Sequence, residues 1–223
     1  MRKSDGTAGA PYDAERLEYG RKLFERECKF AIGATRESHF PPMDLPEIAF
    51  AGRSNVGKSS LINALTRHTA LARTSRTPGR TQQINFFSLG DVLMLVDLPG
   101  YGYANASKRS IGAWTALIHA YLLGRPNLRR LCLLIDSRHG VKDSDREVMA
   151  ALDRAAVVYQ IVLTKTDKIS SAALAAAVAG IEDMIPGHPA ARPAVMITSA
   201  RDRVGFEALR AELAALAAPR QFG

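Results

Sequence analysis

Eight consecutive residues, Gly52-Arg53-Ser54-Asn55-Val56-Gly57-Lys58-Ser59, have the spacing G-x-x-x-x-G-K-S. A chain of phosphates offers many anionic oxygens and little shape, so converging backbone N–H groups hold it best. Glycines at both ends let the backbone curl where a Cβ would clash. Lys58 would reach the β and γ oxygens, and the Ser59 hydroxyl would ligate Mg²⁺. A short apolar strand, residues 47–51, runs into the loop, and a helix starting near Ser60 leaves it. The helix N-terminus adds positive potential where the anion would sit.

If the loop holds a triphosphate, further groups belong at the ends of later strands. Asp97-Leu98-Pro99-Gly100 is a D-x-x-G turn after an apolar run. Asp97 would hold Mg²⁺ through a water, and the Gly100 N–H would face the γ-phosphate. Thr164-Lys165-Thr166-Asp167 is a variant of N-K-x-D. A carboxylate at Asp167 accepts from both N1–H and the exocyclic amine of guanine, and adenine lacks that donor pair. The Lys165 stem would pack over the base, and Thr164 stands where Asn is commoner. After the last strand, which ends at Thr198, itself a candidate nucleotide contact, Ser199-Ala200 offers a backbone N–H to the guanine carbonyl. Between the loop and Asp97 lies a polar, threonine-containing segment, residues 69–83. Thr81, just before a strand, is chosen over Thr74 and Thr77 for the second Mg²⁺ hydroxyl.

The elements that must carry these groups alternate. Strands are expected at 47–51, 84–89, 92–96, 131–136, 157–163 and 194–198. Helices are expected at 60–65, 108–123, 144–155, 171–185 and 204–218, with Ser144 as N-cap and Glu147 in capping-box position. Strands apolar on both faces and separated by helices imply a mostly parallel sheet covered on both sides, with ligands beyond the C-terminal strand edges. Residues 1–22 read as a flexible arm, residues 23–218 as one domain and residues 219–223 as a tail. Residues 30–46, with Pro41, Pro42 and Pro46, read as a connector.

A hydrophobic fraction of 47% supports a large core. No secretory h-region follows Met1, and uncharged stretches such as 169–181 are too short to span a bilayer, so a cytoplasmic protein with no membrane partner is expected. Two cysteines support neither a disulfide framework nor a zinc site, and Cys132 in its apolar run reads as an inert buried thiol. Thirty Lys+Arg against 22 Asp+Glu give +8, which permits a polyanionic partner.

Residues 47–200 resemble a translation-factor-class GTPase domain, and more closely the EngB/YsxC family of bacterial ribosome-biogenesis GTPases. The match is carried by residues 46–63 around the loop, by Thr77-Pro78-Gly79-Arg80-Thr81-Gln82, by Asp97-Leu98-Pro99-Gly100-Tyr101-Gly102-Tyr103-Ala104 and by Thr164-Lys165-Thr166-Asp167. The resemblance implies an α/β fold, a three-layer P-loop GTPase domain with helices on both faces. It implies Mg²⁺ on Ser59 and Thr81, and nucleotide contacts that include Gly79, Arg80, Thr81, Gln82 and Gln83. It also implies a GTPase that serves assembly of the large ribosomal subunit and normal cell division and growth; a monomer is expected, and slow hydrolysis is expected because Tyr101 follows Gly100 and no arginine finger can be assigned. Asn55 matches related GTPases that recruit K⁺, and Tyr101 stands where many carry the glutamine that orients the attacking water.

Two other function classes compete. A signalling GTPase with protein-only partners would share the motifs, and a small-molecule kinase would share the phosphate loop. The base-reading stations Asp167 and Ser199-Ala200 argue against the kinase, as does the lack of an arginine-rich lid. The basic excess favours an RNA-containing partner, with Arg73, Arg76, Arg80, Lys108, Arg109, Arg129 and Arg130 as candidate phosphate contacts.

Overall fold

The computed structural model describes residues 12–68, 71–72, 83–101 and 108–217, with backbone alone for 108–115. Among them run α1 (Ala14–Phe24), β1 (Cys28–Ala34), β2 (Glu47–Gly52), α2 (Lys58–Leu65), β3 (Ile84–Leu89), β4 (Leu93–Asp97) and α3 (Lys108–Gly124). Then follow β5 (Leu128–Asp136), α4 (Asp143–Arg154), β6 (Tyr159–Thr164), α5 (Ser171–Glu182), β7 (Met196–Ile197) and α6 (Phe206–Ala215). The seven strands form one sheet in the order β1-β3-β4-β2-β5-β6-β7. Pairs from β4 through β7 are parallel, while β3 pairs antiparallel with both β1 and β4.

Alternation along the central strands sorts the core into two layers. From β2, Ile48 and Phe50 pack with Leu23 and Phe24 of α1, Leu61, Ile62 and Leu65 of α2, and Phe206, Leu209 and Leu213 of α6. Ala49 and Ala51 face the other way, toward Leu117 and Tyr121 of α3, Met149 and Leu152 of α4, and Val178 and Ile181 of α5. The mostly parallel, doubly covered sheet expected from the apolar runs is therefore present. No helix of the described residues is long and apolar enough to cross a membrane.

Three local readings are corrected. Residues 14–22 are not loose arm but part of α1, whose N-cap Asp13 accepts the Arg16 N–H at 2.7 Å. The helix is held by tertiary packing: a Cβ on Gly20 would lie 2.6 Å from the Ala211 nitrogen, so only glycine lets α1 approach α6 this closely. Residues 30–34 are not connector but part of β1, the edge strand, whose exposed side chains at 29–32 hide its pairing with β3. Helix α4 starts one residue before Ser144, and the box is closed by Asp145, whose Oδ2 accepts the Lys142 N–H at 2.8 Å. Lysine has no acceptor, so the cap comes from inside the helix.

At the start of β2, opposite the loop end, Glu47 is 1% exposed. It accepts from the Tyr121 hydroxyl at 2.9 Å and pairs with the buried Arg125 guanidinium. Arg125 also donates to the Pro41 carbonyl at 2.7 Å, tying the proline-rich stretch to the sheet.

Candidate functional site

The C-terminal edges of β2, β4, β6 and β7 bring the expected stations together. The loop after β2 folds with two residues in the left-handed region, Asn55 at φ 63° and Gly57 at φ 107°. Asparagine tolerates that conformation and glycine adopts it freely. Gly57 precedes α2 without a side-chain cap, so the amides of the first turn are left for an anion. At Gly52 a Cβ would come within 2.9 Å of Val56 Cγ1 and 3.0 Å of the Leu134 carbonyl, so the loop can close only over glycine.

Lys58 and Asp97 meet through a direct ion pair, with side chains only 12% and 9% exposed. The two charges that would face a triphosphate and its cation therefore hold each other. Gly100 lies against the loop, where a Cβ would sit 3.1 Å from Ser54 Oγ. Leu98 extends the pairing by donating its N–H to the Phe50 carbonyl at 3.0 Å. Pro99 completes the turn between these two anchored residues.

The hydroxyl of Thr164, at the end of β6, donates to the Val56 carbonyl at 2.6 Å and lies 3.3 Å from that of Ile135. It thus braces the phosphate loop, a task open to any short donor, which accounts for Thr where Asn is commoner. Lys165 stands at φ 57°, and its Nζ donates to the Asn55 carbonyl at 2.5 Å and to Asp136 Oδ2 at 2.9 Å. Thr166 donates its hydroxyl to the Thr198 carbonyl at 3.1 Å, joining the β6 and β7 ends.

Asp167 Oδ1 accepts from Ser199 Oγ at 2.8 Å, whereas Oδ2, shielded from solvent, accepts no hydrogen bond. Two cations stand off that oxygen, Lys168 Nζ at 3.3 Å and Arg201 Nη1 at 3.7 Å. The Ser199 hydroxyl, followed by Lys168, lowers the Asp167 pKa below the ordinary carboxylate value, so the group is an acceptor at neutral pH. Asp167 lines a depression of about 190 Å³ together with Gly57, Lys165, Thr198, Ala200 and Arg201. The Ser199 N–H is taken by the Val204 carbonyl at 3.1 Å, which leaves Ala200 as the amide for the carbonyl-reading role expected of the pair.

Gly79, Arg80, Thr81 and Gln82 lie outside the described residues, as do Thr74, Thr77, Arg73 and Arg76. Gln83 is described, and its amide donates to Asn85 Oδ1 at 2.8 Å. The chain entering the undescribed stretch is fixed by Asn63, which exchanges two hydrogen bonds with the Ala72 backbone at 2.8 and 3.1 Å. Arg130 is not a surface phosphate contact: it is buried and pairs with Glu212 at 3.1 Å. Cys132 and Cys28 are both buried, which pushes their thiols up to about 12 and makes them inert.

Two groups of the site escaped the sequence reading. Asp136, at the end of β5, takes Lys165 on one side and Arg138 at 2.7 Å on the other. Burial pushes its pKa up, but hydrogen bonds from Arg138 and Lys165 outweigh this and hold it below the carboxylate range. The second is the Tyr101 hydroxyl, which donates to Asp145 at 2.8 Å. The only local signal for Asp136 is a charge ending an apolar run.

The donor chemistry fits Mg²⁺: a serine hydroxyl at Ser59 and a carboxylate at Asp97 are hard oxygen ligands on adjacent elements. Among the described residues no cluster of three or more His, Cys, Asp or Glu could hold a metal alone. An ion here would therefore share its coordination with phosphate oxygens and water.

Comparison with known proteins agrees with this geometry. Residues 47–165 match the family described as 50S ribosome-binding GTPase. A Rhodospirillum rubrum protein named probable GTP-binding protein EngB is 56% identical over 211 residues, covering 92% of this chain and 91% of that one. A Gluconobacter oxydans protein of the same name is 53% identical over 213 residues, covering 96% and 93%. Among solved structures, a probable GTP-binding protein EngB superposes with TM-score 0.62 at 22% identity, over 78% of this chain and all of that one. Aquifex aeolicus Era bound to GDP·AlF4⁻ superposes with TM-score 0.60 at 18% identity, over 77% and 56%. At those identities the two structures speak for the fold alone.

Proposed function

The chain belongs to the 50S ribosome-binding GTPase family and, within it, to the EngB proteins; on that premise we propose that it is a guanine-nucleotide switch that hydrolyses GTP slowly and serves assembly of the large ribosomal subunit. The observation that carries guanine recognition is Asp167, with one oxygen fixed by the Ser199 hydroxyl and the other, shielded from solvent, met only by Lys168 and Arg201 at ion-pair distance. A shielded carboxylate oxygen that lacks a well-aligned hydrogen bond gains when a ligand supplies one. Guanine supplies two, and adenine cannot.

In this reading the amides of residues 52–59 wrap the α- and β-phosphates, and Lys58 leaves Asp97 for the β and γ oxygens. Ser59, Thr81 and, through water, Asp97 would hold Mg²⁺, which when bound neutralises charge between the β- and γ-phosphates. Lys165 covers one face of the base while its ammonium stays on the Asn55 carbonyl. The slow rate follows from Tyr101, whose hydroxyl is committed to Asp145 and is not free to orient a water.

The protein is proposed to act as a cytoplasmic monomer, without a membrane partner. GTP contacts at Thr81 and Gly100 would set how Arg73, Arg76, Arg80, Lys108 and Arg109 are presented to ribosomal RNA, although residues 98–101 are already anchored on β2 and the phosphate loop and Lys108 and Arg109 already lie in α3. The test is co-sedimentation with purified large subunits. Pelleting with a GTP analogue, less with GDP and progressively lost with salt, is expected. Equal pelleting with both nucleotides would reject the switch. No pelleting at low salt, with guanine nucleotide still bound, would favour a protein-only signalling partner.

A further inference from the structure

Tyr101, the residue after the D-x-x-G turn, is joined to the phosphate loop by its backbone and to α4 by its side chain. Its N–H donates to the Gly52 carbonyl at 3.3 Å, and its carbonyl accepts from Ser54 N at 3.0 Å. The Ser54 hydroxyl reaches the same carbonyl at 3.3 Å. The phenol ring turns inward and is 8% exposed, next to Asp145 at 2%. Its hydroxyl donates to Asp145 Oδ1 at 2.8 Å, while Oδ2 is held by the Lys142 N–H at 2.8 Å. The carboxylate therefore cannot rotate without uncapping α4. Burial, and then the Asp145 charge, raise the phenol pKa well above its ordinary value, so the hydroxyl remains a donor.

We infer that Asp145 is a positioning residue for the γ-phosphate end of the site, fixing the Gly100 amide against the phosphate loop through the Tyr101 hydroxyl. This rests on the reading of Gly100 as the γ-phosphate contact. An amide that is to meet a third phosphate contributes most when it is already held in place, because no ordering cost is then charged to binding. The backbone bonds of Leu98 to Phe50 and of Tyr101 to Gly52 and Ser54 all run along the β2 edge and the phosphate loop. The buried hydrogen bond to α4 adds a further point off that line, which fixes the orientation of the amide. GDP makes no contact at Gly100 in this reading, so the effect of losing that point falls on the triphosphate.

This separates positioning from mere core stability, which would weaken both nucleotide complexes alike. Tyr101→Phe keeps the ring and leaves the Asp145 cap on Lys142 in place. With fluorescent nucleotides, its affinity for a non-hydrolysable GTP analogue should fall about five- to tenfold, the size of one hydrogen bond. Its GDP affinity should change about twofold or less. Asp145→Asn has one acceptor oxygen for two donors; with that oxygen on the phenol it gives up only the Lys142 cap, so it should lower the melting temperature yet keep the wild-type ratio of the two affinities. Asp145→Ala removes the acceptor and should repeat the Tyr101→Phe split even though it also weakens α4. Melting temperatures of the complexes establish that each variant is folded. An equal loss for both nucleotides, or none, overturns the positioning role while leaving guanine binding intact. Failure of the wild-type protein to distinguish guanine from adenine nucleotides would overturn the underlying reading instead.

Discussion

Replacing Thr164 by Val deletes one hydroxyl while almost preserving shape, and the structure places that hydroxyl where two effects meet. Thr164 is 4% exposed, and its Oγ1 lies 2.6 Å from the Val56 carbonyl and 3.3 Å from that of Ile135. The variant leaves the first of these acceptors without its donor between two buried residues. A buried acceptor left unsatisfied costs roughly 1–3 kcal/mol. For a domain of this size each kcal/mol moves the midpoint by roughly 2–4 °C, so a loss of about 2 kcal/mol should lower Tm by roughly 4–8 °C. The same hydrogen bond fixes the carbonyl before Gly57, at the turn that aims the loop amides, so GDP affinity should fall as well. Thr164→Ser keeps the hydroxyl and removes one methyl, costing about 0.8 kcal/mol. It should keep most of the nucleotide affinity. Thermal unfolding by circular dichroism and titration with a fluorescent GDP read the two effects separately. A Val variant with unchanged Tm and unchanged GDP affinity would refute the bracing role. So would a Ser variant as weak in nucleotide binding as the Val variant.

Asp167→Asn should lower GTP affinity by about tenfold or more, as an acceptor for the guanine amine is lost, and improve binding of xanthosine triphosphate; unchanged selectivity in competition titrations would remove the base assignment. Lys58→Ala should weaken nucleotide binding and Ser59→Ala should blunt the Mg²⁺ dependence of turnover, so normal Mg²⁺-dependent turnover in both would displace the phosphate site. Glu47→Gln leaves the Arg125 charge buried without its counter-ion and should cost about 3–5 kcal/mol in urea unfolding, while the GTP-over-ATP preference survives; a cost below about 1 kcal/mol would show the pair to be dispensable. Turnover should be faster in K⁺ than in Na⁺ if Asn55 recruits the cation, and equal rates would rule that out.

Much of the site was legible because its chemistry is local. The glycines at 52 and 57, Lys58 and the D-x-x-G turn are required by backbone geometry within a few residues, and apolar strands mark where such turns must sit. The sheet was legible for the same reason, since β2, β5 and β6 are apolar on both faces. Residues that act by meeting a distant partner were not legible. Asp136 meets Lys165 across 29 positions and Tyr101 meets Asp145 across 44, and no periodicity records either pair. Helix α1 escaped because only Gly20, Leu23 and Phe24 of it are buried, and a glycine inside a helix ordinarily argues against one. Its reason for being there is the Ala211 backbone of α6, almost 200 residues away in sequence. Edge strand β1 escaped because its exposed Phe30 and Ile32 gave alternation without burial.

The pairings at the site suggest which end is prepared for a ligand and which must rearrange. At the base end, Thr164 on Val56, Lys165 on Asn55 and Ser199 on Asp167 are contacts that a bound guanine could leave in place. They lock the rotamers of the base-reading groups, so little ordering remains to be done there. At the phosphate end, Lys58 and Asp97 neutralise each other, and a triphosphate with its cation would have to separate them. The lysine gains phosphate oxygens and the carboxylate gains a metal-bound water, so the exchange is favourable only when both charges are replaced together. Nucleotide without Mg²⁺ should therefore keep its base contacts but leave the Asp97 charge uncompensated. The sheet makes this division possible: β4 and β6 flank the pair β2–β5, so the two ends of the ligand rest on different strand edges tied to one rigid frame.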